Sequence, residues 1–238
     1  MELSERLGLC PGRERIVSIV GAGGKTTLMY ALAGEYARRG LRVGAGTTTH
    51  ILRPAADGRV AVVCDGDPGA LERALAGGRI AVAGTPARGA PGKLAAPAPE
   101  TLAWLAAHTD ALFLEADGSR RLPVKFPNST EPVIPEGTGR VIAVAGLSAL
   151  GRPFDEVCHR APLAREALGI PEGASVTPGI IARLLLAGYG RFSPTVLLNQ
   201  ADTPALREQG EQAAALLRAG GIEKVLILSL RQEAEITC

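Results

Sequence analysis

Ile16-Val17-Ser18-Ile19-Val20-Gly21-Ala22-Gly23-Gly24-Lys25-Thr26-Thr27 begins as an apolar, β-branched run, turns on glycines and enters a helix through a lysine and two hydroxyls. A strand, a glycine turn and a helix in that order form one β-α unit of an α/β protein. Glycines let backbone N-H groups approach an anion, the helix N-terminus adds roughly half a positive charge, and lysine adds a mobile cation. Gly21, Ala22, Gly23, Gly24, Lys25, Thr26 and Thr27 are therefore candidate contacts to a nucleotide's phosphates. The Thr26 hydroxyl, directly after the lysine, is placed to ligate magnesium.

The full Walker A spacing has a glycine six residues before the lysine, where this chain has Ile19, so the loop is the shorter G-x-x-G-K-T-T form. A dinucleotide fingerprint would need its last glycine at Thr26. Neither that reading nor a plain glycine turn accounts for Lys25, Thr26 and Thr27 together.

Outward from the loop, β-branched apolar runs recur at 16–20, 42–46, 60–64, 79–83, 111–115, 140–145, 195–199 and 224–229. Helical patterns at 25–39, 68–77, 98–108, 161–168, 178–188 and 203–219 alternate with many of them. Near-continuous apolar strands alternating with helices predict a mostly parallel central sheet covered on both faces: a three-layer α/β fold of the P-loop NTPase kind. The length of 238 residues predicts one nucleotide-binding domain over 1–238. Glycine- and proline-rich stretches at about 85–97 and at 117–138 are expected as inserted surface loops, and the second is the candidate substrate or partner loop.

Three later strand ends add chemistry. Ala111-Leu112-Phe113-Leu114-Glu115-Ala116-Asp117 leads an apolar strand into two acids, so Glu115 and Asp117 are candidate magnesium ligands and, with Lys25, candidate catalytic groups. Thr47-Thr48-Thr49-His50 ends the second strand, making Thr48 a candidate nucleotide contact. Asn199-Gln200-Ala201-Asp202 resembles the N-K-x-D guanine-reading element, with Gln200 in the lysine position. An aspartate there accepts from guanine N1-H and the 2-amino group, and Asn199 braces the loop or touches the ring. A helix cap before 203–219 also accounts for this stretch. Arg120, Arg121 and Lys125, with His50, are candidate contacts to a second anion or a partner.

A net charge of +2 and 3% aromatic residues give neither an electrostatic footprint nor a stacking surface for nucleic acid. No apolar run reaches the ~20 residues of a membrane span, and the first residues lack a secretory layout, so a cytoplasmic location is expected. Cys10, Cys64, Cys158 and Cys238 have no C-x-x-C spacing and read as reduced thiols.

Together, G-A-G-G-K-T-T at 21–27, T-T-T-H at 47–50, E-A-D-G-S-R at 115–120, Leu122-Pro123-Val124-Lys125, Glu131-Pro132-Val133-Ile134-Pro135 and the stretch Gly146 to Asp155 resemble the selenium-dependent hydroxylase accessory proteins of the YqeC type. The resemblance implies a cytosolic P-loop protein associated with maturation of selenium-dependent molybdenum hydroxylases, acting on the molybdopterin cofactor or its labile selenium, so the hydroxylase or that cofactor is the expected partner. The loop and the acids themselves predict GTP or ATP with Mg2+ as cofactors. Hydrolysis of the nucleotide is the expected reaction, and a binding module without turnover is the alternative. The loop also resembles that of the Mur ligases, without further ligase signature. A NAD(P)-dependent oxidoreductase is disfavoured by Lys25.

Overall fold

The structure is a computed structural model that describes residues 1–55, 58–64 and 66–232. Cys238 lies outside them. The chain divides into two compact units.

The first unit comprises Met1–Ile19, Thr26–Gly118 and Val133–Arg140. Its elements are α1 (Leu3–Leu7), β1 (Ile16–Gly21, whose last residues belong to the second unit), α2 (Lys25–Arg38), β2 (Val43–Thr47), β3 (His50–Leu52), β4 (Val60–Val63), α3 (Pro68–Ala76), β5 (Ile80–Ala83), β6 (Thr85–Pro86), β7 (Lys93–Ala95), α4 (Pro99–His108) and β8 (Ala111–Glu115). The second unit comprises Val20–Lys25, Ser119–Pro132 and Val141–Cys238. It holds β9 (Val124–Lys125), most of β10 (Arg140–Gly146), α5 (Phe154–Val157), β11 (Cys158–His159), α6 (Ala161–Leu168), α7 (Pro178–Tyr189), β12 (Thr195–Asn199), α8 (Pro204–Ala219) and β13 (Val225–Ile227).

All eight predicted strands join one sheet, in the order β13-β12-β10-β1-β8-β2-β5-β4. This is the expected α/β architecture, a parallel sheet flanked by helices. In the first unit, Ile16–Ile19 run beside Leu112–Glu115, and Val43–Thr47 beside Ala111–Glu115, in parallel. In the second, Ile142–Gly146 pair with Thr195–Asn199, and Val196–Leu198 with Val225–Ile227. These registers align the C-terminal ends of neighbouring strands, where ligands bind in open α/β sheets.

Both faces of the strands are covered, so β2, β5, β8 and β12 are buried along their length. A core of the first unit joins Leu71 and Leu75 of α3, Leu105 of α4, and Leu112 and Leu114 of β8. Truncating such a leucine to alanine costs about 2–5 kcal/mol. Tyr36 of α2 meets Phe113 edge-on, with ring centroids 5.2 Å apart. Several helices open on a proline, namely Pro68, Pro99, Pro178 and Pro204. At that position the missing N-H has no helical partner to lose. Asp67, Thr177 and Thr203 cap three of these helices through side-chain oxygens.

The two stretches expected as loops carry more order than their composition suggests. Thr85–Pro86 and Lys93–Ala95 pair with each other and with His50–Leu52 in a small antiparallel sheet, ordered β3-β7-β6. Pro86 is tolerated because β6 is an edge strand. Within 117–138, Pro123, Val124 and Lys125 are buried rather than exposed, and Val124–Lys125 pairs in parallel with Cys158–His159.

Candidate functional site

In the second unit the glycine loop lies tight against β10 and the end of β12. The Ala22 N-H donates to Val144 O at 2.8 Å, so this amide is committed to the fold rather than to a ligand. Gly23 has φ +78°, and a Cβ on it would lie 2.4 Å from Gly146 N and 2.7 Å from Pro123 O. At Gly24, with φ +133°, a Cβ would sit 2.2 Å from Asn199 Nδ2. Any side chain at either position would displace backbone or a bracing amide. Packing alone thus accounts for these glycines.

Lys25 is only 4% exposed, and its ammonium donates to Gly21 O at 2.8 Å. Lysine is rarely buried without a partner or a task. Asn199 spends both ends of its amide on the protein: Nδ2 donates to Gly23 O at 2.8 Å, and Leu230 N donates to Oδ1 at 3.0 Å. It therefore ties the glycine loop to the segment following β13.

Three residues on, Asp202 is exposed and accepts from the Ser229 hydroxyl at 2.5 Å. The cap of α8 is Thr203, whose hydroxyl accepts from Leu206 N at 3.2 Å, so a helix cap does stand at this point, with Asp202 one residue before it. Gln200 accepts from the Ser148 hydroxyl at 2.6 Å.

In the first unit the acids at the end of β8 are buried, Glu115 at 5% exposure and Asp117 at 0%. Thr26, one residue beyond Lys25, donates its hydroxyl to Glu115 Oε1. Thr47 donates to Glu115 O at 2.9 Å, and Thr48 N donates to the same carbonyl at 2.9 Å. The Thr48 hydroxyl donates to Val133 O at 2.8 Å, so two of the three threonines hold backbone in place. Thr27 and His50 are exposed, His50 on the small sheet opposite Ala95. Tyr30 lies one turn beyond Thr26 on α2, and its buried hydroxyl has no hydrogen-bond partner among the described residues. Burial, and then the Glu115 charge, raises the phenol above its usual range.

No group of three or more His, Cys, Asp or Glu side chains converges as a cation site among the described residues. A metal here would draw on the Thr26 hydroxyl, one or both acids and a ligand's own oxygens. Those are hard oxygen donors, the set magnesium prefers while keeping several waters. The orphaned Tyr30 hydroxyl is the kind of group that an ordered water satisfies. The residues present therefore fit magnesium.

The second unit also holds an ionic group that spacing does not reveal. The Lys125 side chain is 0% exposed and donates to Glu131 Oε2 at 2.8 Å, and Arg160 bonds the same carboxylate. Burial alone would raise the Glu131 pKa, but the hydrogen bonds from Lys125 and Arg160 outweigh it and hold the carboxyl below its usual range. Cys158, in the strand beside Lys125, is a buried free thiol. Burial pushes it up to about 12, with Asp155 adding and Lys125 opposing. It is thus protonated at neutral pH and a poor nucleophile.

Among the described residues no helix is long and apolar enough to cross a membrane. The family model of the YqeC protein matches residues 17–162, a span that contains the glycine loop, the threonine run, both buried acids and the Lys125–Glu131–Arg160 group. A protein of Escherichia coli (strain K12) that bears the name "Uncharacterized protein YqeC" is 34% identical over 183 residues, covering 76% of this chain and 71% of that protein. With a family match over more than half of its length and this relative beside it, the chain belongs to the YqeC family.

Proposed function

We propose that this protein binds a nucleoside triphosphate with magnesium, hydrolyses it, and serves as an accessory factor in maturation of a selenium-dependent molybdenum hydroxylase, acting on that enzyme or its molybdopterin cofactor. The observation that carries the nucleotide reading is the buried Lys25 ammonium folded onto its own glycine loop. A turn built only for packing explains the glycines but does not call for a lysine opening the helix with its ammonium turned back onto the loop. In this reading the Gly23 and Gly24 amides and the start of α2 receive phosphate oxygens, and Lys25 exchanges its Gly21 carbonyl for one of them. Thr26, Glu115 and Asp117 hold magnesium, which when bound would neutralise phosphate charge. The brace from Asn199 keeps the loop in place through turnover.

Single-turnover hydrolysis tests the reading. Cleavage above background, faster with the molybdenum hydroxylase present, is expected. Background rates in both conditions would leave a module that binds without turnover.

Of GTP and ATP, the Asp202 geometry favours GTP. The Ser229 hydroxyl orients one carboxylate oxygen, and an exposed carboxylate in the loop after β12 is an acceptor for guanine's N1-H and 2-amino group, which adenine lacks. The Asp202→Asn variant should weaken GTP binding about 10- to 100-fold, because such a bidentate contact contributes ~1–3 kcal/mol. It should gain affinity for xanthosine triphosphate, whose C2 carbonyl accepts from the new amide. Competition titrations read both changes, and an unaltered GTP affinity would remove Asp202 from the base site.

A further inference from the structure

We propose that Arg120, His159 and Arg160, backed by Lys125, form a binding site for the phosphate group of a second ligand, separate from the glycine loop. Positive φ is uncommon for residues other than glycine, and the described ones with it are Arg120 (50°), Arg121 (64°), Arg160 (66°), Ser193 and Gln200. Arginine gains nothing locally from that conformation, which costs about 1 kcal/mol or more. Holding Arg120 and Arg160 so, beside one ionic group, is strain of the kind that persists where side chains must be aimed.

Strand pairing builds the floor of this site. His159 is the register partner of Lys125, and Phe126 N donates to His159 O at 3.1 Å. The charges acting on the imidazole come from Lys125 on β9, Arg160 beside it, Arg120 in the preceding turn, and Glu131 in the segment that follows. Three cations and one carboxylate therefore act on the imidazole, and that carboxylate is already shared by Lys125 and Arg160. Neither Arg120 nor Arg121 has a carboxylate partner among the described residues. A cluster with this excess of positive charge, buried at Lys125 and open at Arg120, matches a dianionic phosphate, which accepts from several guanidinium and imidazole donors at once.

The segment carrying the cluster is seated against the glycine loop, since Gly146 N donates to Pro123 O at 2.7 Å and Gly23 leaves no room for a Cβ beside that carbonyl. On the nucleotide reading above, the second phosphate would be held next to the triphosphate. The site itself does not depend on that reading.

Burial first, then the charges of Lys125, Arg160 and Arg120, lower the His159 pKa, while Glu131 opposes them. A bound anion reverses the balance by favouring the imidazolium. The test is a proton NMR titration of the full chain in phosphate-free buffer, with and without saturating inorganic phosphate, His159 being assigned through His159→Gln. Phosphate should raise the His159 midpoint by about one unit or more and leave His50 and His108 unmoved. The shift should persist in Lys25→Ala and shrink in Arg120→Ser, whose exposed side chain is dispensable to the fold. An unmoved midpoint overturns the proposal. So does a shift that disappears in Lys25→Ala but survives in Arg120→Ser, because that result puts the anion in the glycine loop.

Discussion

Replacing Lys25 with alanine should weaken binding of magnesium–GTP about 100-fold, the consequence of removing a hydrogen bond to a charged group that contributes up to ~3 kcal/mol. The loop should survive the change. Its position rests on the bond from Ala22 N to Val144 O and on the Asn199 brace at Gly23 O, neither of which involves the lysine side chain. Lys25→Arg is the informative companion. It preserves charge, but a guanidinium is larger and planar where a compact ammonium now reaches Gly21 O, so it should recover only part of the affinity. A fluorescent GTP analogue reads all three proteins, and thermal unfolding confirms that the variants remain folded. Equal, tight binding by wild type and Lys25→Ala would remove the lysine from the phosphate site.

A large stability effect is expected at Glu131. Its side chain, 11% exposed, balances a Lys125 side chain that is 0% exposed, together with Arg160. The Glu131→Ala variant leaves buried charge without a counter-ion, which costs about 3–5 kcal/mol and lowers Tm by roughly 10 °C in a chain of this size. The effect has a pH signature. The folded-state pKa of Glu131 lies below its unfolded value, so its contribution is fully present above the unfolded pKa and is lost as pH falls through the folded one. Wild type and Glu131→Ala should therefore differ most near neutrality and converge on acidification. A variant that melts with wild type at neutral pH would show that the ionic group carries no stability.

The contrast between these two residues shows what the sequence made legible. Lys25, Thr26 and Glu115 stand in local patterns: a glycine turn opening a helix, and an acid ending an apolar strand. Burial on both faces of a parallel sheet writes that second pattern into consecutive residues, so all eight main strands and the helices from α2 onward could be read closely, apart from the four-residue α5. Glu131, His159, Arg160 and Ser229 gain their roles from partners far along the chain. Ser229 meets Asp202 across 27 residues, and Arg160 meets Glu131 across 29. No spacing rule encodes such meetings.

Short strands were hidden for a related reason. Two- and three-residue segments such as Thr85–Pro86 and Val124–Lys125 are too brief to show a period. They become strands only because tertiary structure supplies an edge to pair with. Composition did mark 117–138 as unusual, yet its prolines and cations signified a partly buried, charge-stapled segment rather than a solvated loop.

Calorimetric titration of the wild-type chain with GTP, in magnesium and again in chelator, bears most directly on the account. One-to-one saturable binding in magnesium, weakened when the metal is removed, is the predicted result. The absence of saturable binding by either GTP or ATP, with or without magnesium, would contradict it and leave the glycine loop as a packing device alone.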